Sequence, residues 1–316
     1  MAELVDASVS KTDGSDIVSV RFRPWGLDCM KSLLAKDLYK YIFSQLEMIY
    51  EDVYERKSIS NIIFSHITKC GEVDLLLNVE IEFEDYPTLE YIFCRLKKHE
   101  PIQYVLNTTT FHGIDFYVDE NVFIPRPATE EMVDDIINNI SLNGKNVLDL
   151  CTGSGCIPIV IKNRYPEANV YGIDINPQAL EVAKKNARAN TVDITFLCQD
   201  IFSDKIYSFF STEKMDVIVS NPPYVCEKEK KNMMPRVLDY EPHDAIFVSD
   251  DDPIKFYKRI SALSEKMLKN KGDVYVEINP KFKNEVKGLF KNYTCCEDKK
   301  ECDMYRSYIL HFRKDT

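Results

Sequence analysis

The stretch NVLDLCTGSGCIPIVIKNRY, Asn146 to Tyr165, contains in succession the signals of a strand, a glycine turn and a helix. NVLDL is a short apolar run typical of a buried strand, and CIPIVIKNRY has the length and composition of a helix. Pro158 lies in the first turn of that helix, where a missing N–H is tolerated. Gly153 and Gly155 allow the intervening backbone to pass close to a ligand, and the loop presents N–H groups at the helix N-terminus. The stretch therefore predicts one unit of a ligand-binding α/β sheet.

Strands and helices continue to alternate around this unit. Further strands are predicted at 169–175, 193–200, 215–220, 272–278 and 304–312, and helices at 130–140, 176–190 and 254–270. Such alternation is typical of a mostly parallel sheet covered by helices on both faces. Ligands of these sheets bind at the carboxyl ends of the strands. We therefore predict an α/β fold for the larger, C-terminal part of the chain.

The N-terminal part has a different organisation. Residues 33–50 and 88–102 carry apolar side chains at helical spacing, and the second of these helices is expected to end near Pro101. Short β-prone runs around Gly113, within residues 103–124, predict a β-hairpin. We therefore expect a small helical domain that is joined to the α/β domain by a hairpin.

These patterns divide the chain into four expected segments. Residues 1–29 show no sustained periodicity, and we expect them to be disordered, with Met30 as the natural initiator. The other three segments are a helical domain at 30–100, a β-hairpin linker at 101–125 and the α/β domain at 126–316.

The bulk composition favours a globular protein without an extensive surface for nucleic acid. The chain has 316 residues and a net charge of −11, which disfavours binding to phosphate backbones. No apolar run approaches the roughly 20 residues that span a bilayer. The ten cysteines are scattered, which indicates reduced thiols and a cytoplasmic location. Cys295, Cys296 and Cys302 lack the spacing of a metal site, so no bound metal is expected.

A second motif indicates the class of ligand. Asp174 lies 21 residues after Gly153, at the end of the next predicted strand. A carboxylate in this position accepts hydrogen bonds from ribose hydroxyls in nucleotide-binding units. A dinucleotide fingerprint requires a third glycine where this chain has Pro158, and no GxxxxGK[ST] phosphate loop is present. The pattern favours an adenosine ligand without a pyrophosphate, namely S-adenosylmethionine; the alternative is that the two glycines only form a tight turn.

A third motif, Asn221-Pro222-Pro223-Tyr224, follows the predicted strand 215–220 and is expected at the same edge of the sheet. The amide carbonyl oxygen of the Asn221 side chain and the backbone carbonyl oxygen of Pro222 can accept both protons of a planar NH₂ group. The ring of Tyr224 can pack on the π-system that carries the amine. Such contacts direct the nitrogen lone pair toward an electrophile and stabilise the positive charge that develops on nitrogen. The motif predicts methyl transfer to nitrogen by direct displacement; the alternative is a rigid loop that only ends a strand.

In combination, DLCTGSG, GIDIN and NPPY resemble the motifs of S-adenosylmethionine-dependent methyltransferases that act on amino groups. Three further segments, RLKKHEPIQYVLN, FHGIDFYVDENVFIPRPATEEMV and VLDYEPHDAIFVSDDD, resemble those of release-factor glutamine methyltransferases. The resemblance extends over about residues 30–313. It implies a helical N-terminal domain that docks the substrate protein and a Rossmann-like catalytic domain. The implied reaction is N5-methylation of the glutamine in the Gly-Gly-Gln loop of class-1 peptide chain release factors.

The resemblance also implies roles for individual residues. Residues 151–155 border the methionine end of the cofactor, Asp174 holds the ribose, and Asp200 and Ile201 border the adenine. The implied cofactor-binding residues are Cys151, Thr152, Gly153, Ser154, Gly155, Asp174, Asp200, Ile201, Asn221, Phe123 and Arg126. The implied catalytic residues, which hold the substrate amide, are Asn221, Pro222, Pro223 and Tyr224.

Four positions depart from the pattern of this family. Cys151 stands where the family usually has glycine, and because its Cβ restricts φ we expect a lowered affinity for the cofactor. Asn107 also replaces a glycine, but asparagine tolerates the left-handed region. Ile201 stands where an aromatic ring can flank adenine, so we expect weaker stacking there. The segment SDDDP at 249–253 replaces a glycine-containing turn, and none of the four changes removes a catalytic group.

Three other functions remain open on the sequence. An adenine-N6 nucleic-acid methyltransferase would use the same NPPY chemistry, but the acidic charge and the IPRP segment disfavour it. A methyltransferase that modifies a glutamine of a ribosomal protein is hardly distinguished by these motifs. A non-catalytic binding protein is disfavoured because Asn221, Asp174 and the glycines are all present. The protein is further expected to be a monomer with no nucleic-acid or membrane partner.

Overall fold

The computed structural model of the protein describes residues 32–211, 213–298 and 307–316. The chain divides into two compact units, one that ends at Phe93 and one that runs from Cys94 to Thr316. The expectations for residues 1–29 and for Met30 as the initiator lie outside the described residues.

The first unit consists mainly of helices. Its elements are β1 (Leu33–Leu34), α1 (Ala35–Gln45), α2 (Val53–Thr68), α3 (Glu72–Leu77), β2 (Glu80–Ile81) and the start of α4 (Tyr86–Leu96). Leu38, Ile42 and Leu46 recur at four-residue spacing and are all buried, so α1 turns one apolar face to the core. The helix predicted over 33–50 is thereby confirmed in its central part, whereas Leu33 and Leu34 form β1 and the last residues form turns.

The helix predicted from residue 88 to near Pro101 is present as α4, but it ends earlier than predicted. α4 ends at Leu96, and the chain then turns before α5 (Ile102–Leu106) begins. Within the turn, Arg95 Nε donates a hydrogen bond of 2.7 Å to Glu100 Oε2. Only the predicted end near Pro101 is therefore wrong, since the chain turns after Leu96 although the apolar spacing continues.

The second unit alternates strands and helices. Its strands are β3 (Thr109–Phe111), β4 (Ile114–Phe116), β5 (Asn146–Leu150), β6 (Asn169–Asp174), β7 (Thr195–Cys198), β8 (Met215–Ser220), β9 (Val225–Cys226), β10 (Phe247–Val248), β11 (Leu268–Ile278), β12 (Tyr293–Asp298) and β13 (Tyr308–Lys314). Its helices after α5 are α6 (Pro127–Asn139), α7 (Cys156–Arg164), α8 (Pro177–Ala189), α9 (Ile206–Phe209), α10 (Pro235–Leu238), α11 (His243–Ile246), α12 (Lys255–Met267) and α13 (Lys283–Lys287). Two 3₁₀ turns lie at Glu227–Asn232 and Pro280–Phe282.

Seven strands of the described residues form one sheet, in the order β12-β13-β11-β8-β5-β6-β7. From β11 to β7 along this order all neighbours pair in parallel, and β13 pairs antiparallel with both β11 and β12. The predicted α/β fold with a mostly parallel, Rossmann-like sheet is confirmed. β6 and β7 extend the sheet on one side of β5 and β8 on the other, which makes the carboxyl end of β5 a topological switch point, the usual ligand crevice of such sheets.

Apolar side chains cover both faces of the sheet. On one face α12 packs through Tyr257, Ile260 and Leu263. On the other face α6 and α7 pack together with Phe111 and Phe116 of the β3–β4 hairpin. The hairpin therefore contributes to the hydrophobic core of the second unit.

Asn107 ends α5 in the left-handed region, at a φ of +51°. Its Nδ2 donates a hydrogen bond of 3.1 Å to the carbonyl oxygen of Val118. The expectation that asparagine is tolerated at this position is confirmed, and its side chain also links α5 to the segment beyond the hairpin.

Candidate active site

A cavity of about 1520 Å³ opens at the carboxyl ends of β5, β6 and β8. It collects residues that are far apart in the sequence, because the ends of parallel strands meet at one edge of the sheet. Of the residues predicted for the site, those that line the cavity are Phe123, Arg126, Cys151, Thr152, Gly153, Ser154, Asp174, Asp200, Ile201, Asn221, Pro222, Pro223 and Tyr224.

Gly155 is the predicted site residue that does not line this cavity. It caps the N-terminus of α7 at a φ of +79°, and a Cβ placed on it would lie 3.1 Å from the Cβ of Ala183. Because this distance is shorter than ordinary van der Waals contact, Gly155 allows α7 and α8 to approach closely. The structure thus gives this glycine a packing position between two helices.

The loop after β5 is held against the end of β6. The N–H of Thr152 donates to the carbonyl of Ile173 at 2.9 Å, and the N–H of Gly153 donates to Asp174 Oδ2 at 2.9 Å. Cys151, the first residue of the loop, has a φ of +63°, which is unfavourable for a residue with a Cβ. The loop therefore has the conformation for which a glycine is best suited.

Asp174 is fixed by main-chain donors on both sides. Besides the bond from Gly153, its Oδ1 accepts a hydrogen bond of 2.9 Å from the N–H of Asn176. Burial raises the pKa of the Asp174 carboxyl, and these N–H groups partly oppose the increase. The carboxylate is thus oriented at the edge of the cavity, where it can accept hydrogen bonds from hydroxyl groups.

Asp149 is a buried acid that the sequence did not single out. It lies on β5, one strand away from Asp174, and is fully buried. Burial raises the pKa of Asp149 to about 8, and the negative charge of Asp174 adds to the increase. Its position on an apolar strand was the available signal, since an acid in a buried run is rarely accidental.

Two apolar side chains at the cavity were also missed. Ile201 is 5% exposed and packs into the core, whereas the next residue, Phe202, is 43% exposed and lines the cavity. Phe202 meets the ring of Phe256 edge to face, with 5.3 Å between the centroids. Ile175, next to Asp174, is likewise exposed and lines the cavity. An aromatic face is therefore present at this end of the cavity, one residue beyond the predicted position.

The NPPY segment is anchored by side chains from α6 and from the end of β11. Asn221 Nδ2 donates to Thr129 Oγ1 at 3.0 Å, and Tyr224 Oη donates to Glu277 Oε1 at 2.8 Å. Asn279 Nδ2 donates to the carbonyl oxygen of Tyr224 at 3.3 Å. These three anchors were not predicted, because their proximity to the segment arises only from the folded protein.

Burial determines the protonation of the two groups that meet below the NPPY segment. It raises the pKa of Tyr224 well above its usual value, and the nearby Glu277 carboxylate adds to the increase. Burial also raises the pKa of Glu277, while hydrogen bonds from Thr129 and Tyr224 oppose the change. Tyr224 accordingly remains a neutral hydrogen-bond donor at neutral pH.

Arg126 and Phe123 lie together at another wall of the cavity. The guanidinium of Arg126 stacks 4.6 Å from the ring centroid of Phe123 and forms an ion pair with Glu241. Glu241 also accepts a hydrogen bond of 3.2 Å from the N–H of Ile124. Burial raises the pKa of Glu241, an effect that Arg126 opposes. This pair joins the IPRP segment to the residues after α10.

In the part of the protein that the structure describes, no cluster of three or more histidine, cysteine, aspartate or glutamate side chains is arranged to hold a metal ion. Cys295 and Cys296 are exposed, and Cys302 lies outside the described residues. None of the described helices combines the length and apolarity needed to cross a membrane.

Comparison with known proteins extends these observations. Residues 122–240 match the family model described as the methyltransferase small domain. A protein of Flavobacterium psychrophilum named release factor glutamine methyltransferase is 38% identical over 288 residues, which cover 87% of this chain and 100% of the relative. A protein of the same name from Bacteroides thetaiotaomicron is 39% identical over 249 residues, covering 78% of this chain and 87% of the relative. A third, from Streptococcus pneumoniae, is 33% identical and covers 75% of this chain and 81% of the relative.

Proposed function

Because this chain belongs to the release factor glutamine methyltransferase family, we propose that it methylates a class-1 peptide chain release factor. The proposed acceptor is the side-chain amide nitrogen, N5, of the glutamine in the Gly-Gly-Gln loop. One observation carries the proposal: NPPY, the glycine loop and Asp174 border the same cavity. That arrangement brings a site for a planar amide next to a site for an adenosine cofactor.

The cavity residues fit S-adenosylmethionine, the cofactor of this family. Gly153 has a φ of +52°, and a Cβ placed on it would meet no heavy atom within 4 Å, so its backbone borders open space. We assign the loop at 151–154 to the methionine end and Asp174 to the ribose. Ile175, Asp200, Ile201 and Phe202 are assigned to the adenine. When bound, the cofactor supplies an electrophilic methyl group on a sulfonium.

The NPPY segment is assigned to the amide acceptor. An amide nitrogen is a weak nucleophile, because its lone pair is delocalised into the carbonyl group. The carbonyl oxygens of Asn221 and Pro222 accept its two N–H bonds, which turns the lone pair toward the methyl group and stabilises developing positive charge. Tyr224 packs on the amide plane, and Pro223 stiffens the backbone that carries these groups. Arg126 and Phe123 are assigned to closure of the pocket.

The first unit is proposed to dock the release factor. Of thirteen large apolar side chains that are exposed in the described residues, nine belong to this unit. They are Leu34, Met48, Val53, Tyr54, Ile62, Val73, Leu76, Leu77 and Tyr91. Val73, Leu76 and Leu77 lie together on the short helix α3, and a group of exposed apolar side chains of this kind is typical of a protein-binding surface. A protein that acts on a release factor would work in the cytoplasm, and we propose that it does so as a monomer.

A methyl-transfer assay tests the proposal. Labelled S-adenosylmethionine is offered with purified release factor, ribosomal protein or duplex DNA, and the modified residue is located by mass spectrometry. We expect label on the release factor at the Gly-Gly-Gln glutamine and none on a release factor in which that glutamine is replaced by glutamate. Label only on the ribosomal protein, or only on DNA, would refute the proposed substrate.

The Asn221→Ala variant tests the assignment of the acceptor group. It removes one of the two proposed acceptors, and we expect kcat to fall at least about 100-fold. Its thermal unfolding and its affinity for S-adenosylmethionine are measured as controls. Full turnover by a folded variant would show that Asn221 is not a catalytic residue.

A further inference from the structure

One buried carboxylate lies behind both functional side chains of the NPPY segment. Glu277, on β11, is 1% exposed and accepts a hydrogen bond of 2.7 Å from Thr129 Oγ1 and one of 2.8 Å from Tyr224 Oη. The same Thr129 oxygen accepts a hydrogen bond of 3.0 Å from Asn221 Nδ2. A continuous series of hydrogen bonds therefore runs from Glu277 through Thr129 to Asn221.

The chemistry of these groups fixes the direction of every bond in the series. Thr129 carries a single hydroxyl proton, which it donates to Glu277 Oε2. The Thr129 oxygen can then only accept from its other neighbour, which selects the NH₂ side of the Asn221 amide. The carbonyl oxygen of Asn221 is left as the group available to a ligand in the cavity.

We propose that Glu277 is a positioning residue that selects the amide orientation of Asn221 through Thr129, so that Asn221 presents an acceptor and not a donor to the substrate. The inference rests on the function proposed above. The opposite orientation would place the NH₂ of Asn221 against the NH₂ of the substrate glutamine, and two donors cannot form a hydrogen bond.

The end of β11 holds the segment at a second point as well. Tyr224 is bound through its hydroxyl by Glu277 and through its carbonyl oxygen by Asn279, two residues farther along the sequence. The main-chain carbonyl of Glu277 in turn accepts a hydrogen bond of 3.0 Å from Tyr257 Oη of α12. Glu277 is thus itself held in place, as a residue that positions others must be.

Two substitutions test the role of this series of hydrogen bonds. Glu277→Gln introduces a donor in place of an acceptor-only group, and Thr129→Val removes the hydroxyl with little change of shape. With the release factor as substrate, we expect each to lower kcat about 10- to 100-fold, the effect of one lost or misdirected buried hydrogen bond. The Kd for S-adenosylmethionine should change less than about 2-fold, because the loop at 151–154 and Asp174, which are assigned to the cofactor, are untouched.

Matched controls separate orientation from general damage. Thr129→Ser keeps the hydroxyl and should retain kcat within about 3-fold, whereas a loss as large as that of Thr129→Val would contradict the inference. Asp273→Asn removes another buried carboxylate of β11, one that binds His311 and Arg313 outside the cavity. We expect this variant to keep its kcat even if it lowers the melting temperature.

The double variant Glu277→Gln/Thr129→Val tests whether the two residues act in one pathway. If Glu277 acts on Asn221 through Thr129, the double variant loses much less activity than the product of the two single losses. Losses that multiply would show that Glu277 acts by a route other than Thr129, such as its hydrogen bond with Tyr224, and would overturn the inference.

A spectroscopic readout keeps this test distinct from a failure of the proposed function. The side-chain NH₂ signals of Asn221 are assigned in ¹⁵N-asparagine-labelled protein by their loss in Asn221→Ala. We expect them to move in Glu277→Gln and in Thr129→Val but not in Asp273→Asn. If the wild-type protein does not label the release factor, the proposed function fails while these signals still test the orientation. Signals that stay in place in both variants would overturn it.

Discussion

Cys151 occupies a left-handed backbone position, at a φ of +63°, at the start of the loop assigned to the cofactor. A residue with a Cβ costs roughly 1–2 kcal/mol in this region, and glycine avoids that cost. We expect Cys151→Gly to raise the free energy of unfolding by about 1 kcal/mol, less a fraction for the added freedom of the unfolded state. The Kd for S-adenosylmethionine should also fall, because the loop no longer has to be held in a strained conformation.

The matched control for this prediction is Cys151→Ala, which removes the thiol but keeps the Cβ. Urea unfolding and calorimetric titration of both variants separate the two contributions. If Cys151→Ala raised the free energy of unfolding and the cofactor affinity as much as Cys151→Gly does, the effect would come from loss of the thiol. That result would refute the role of backbone strain.

Asp149 makes stability depend on pH in a defined direction. Burial raises its pKa to about 8 in the folded protein, from 3.8 in an exposed setting, so the folded state binds this proton more tightly than the unfolded state. The stability that the proton contributes is complete below about pH 4 and is lost as the pH rises toward 8. We therefore expect Asp149→Asn to gain stability relative to the wild type between pH 5 and pH 8.

The free energy of unfolding of Asp149→Asn should exceed that of the wild type by at least about 1 kcal/mol, which corresponds to a pKa shift of less than one unit. Urea unfolding at pH 5, 6.5 and 8 measures it, with Asp251→Asn, at an exposed loop position, as the control. A difference between Asp149→Asn and the wild type that is constant over this range would contradict the raised pKa.

At the residue scale, the sequence predicts the side chains that we assign to the ligands but not the side chains that hold them in place. Asp174 and Asn221 were found because each follows a strand, and strand ends share one edge of the sheet. Thr129 and Glu277 lie on α6 and β11, 148 positions apart, and only the tertiary fold brings their side chains within 2.7 Å. Phe202 was missed by one residue, because the spacing does not reveal which neighbour turns toward the core.

At the scale of elements, local sequence patterns predict the parallel strands, but they do not predict the turn between α4 and α5 or the strand β12. β5 and β8 are mainly apolar runs, as is usual for buried parallel strands, and their predicted bounds match the structure. β12 was not predicted, because its sequence YTCCED lacks a strong strand pattern and the strand forms only by pairing with β13. Pairing partners distant in the sequence thus override local propensity.

The close approach of α7 and α8 yields a prediction at the same scale. Gly155→Ala adds a Cβ 3.1 Å from Ala183 Cβ at a φ of +79°, so it combines a helix-helix clash with backbone strain. Gly153→Ala adds a Cβ at a φ of +52° with no heavy atom within 4 Å, which leaves only the strain. We expect the free energy of unfolding to fall by about 2 kcal/mol or more for Gly155→Ala and by about 1 kcal/mol for Gly153→Ala.

For cofactor binding we expect the opposite order, with the larger loss of affinity in Gly153→Ala. Gly153 borders the cavity and Gly155 does not, so a methyl group at 153 obstructs the ligand directly. Chemical unfolding and calorimetric titration of both proteins check the two orders. The contrary result would be that Gly155→Ala weakens cofactor binding more than Gly153→Ala does and has the higher free energy of unfolding of the two. In that case Gly155 would have the role of binding the cofactor and Gly153 that of packing.

On the scale of the whole molecule, chemistry and docking are proposed for different units, which predicts that they can be impaired separately. α3 has no buried residue, and its Val73, Leu76 and Leu77 are all more than 60% exposed. We expect Leu76→Ser/Leu77→Ser to raise the KM for the release factor about 30-fold, since each leucine lost from an interface costs about 1 kcal/mol and the two together cost about 2 kcal/mol. The kcat should be unchanged, because the residues proposed as catalytic lie in the second unit. Phe209→Ser, at an exposed apolar position of the second unit, is the matched control, and a short peptide with the Gly-Gly-Gln sequence is the matched substrate. The leucine variant should methylate that peptide as fast as the wild type does, whereas an equal loss on peptide and on release factor would place the role of α3 in folding and not in docking.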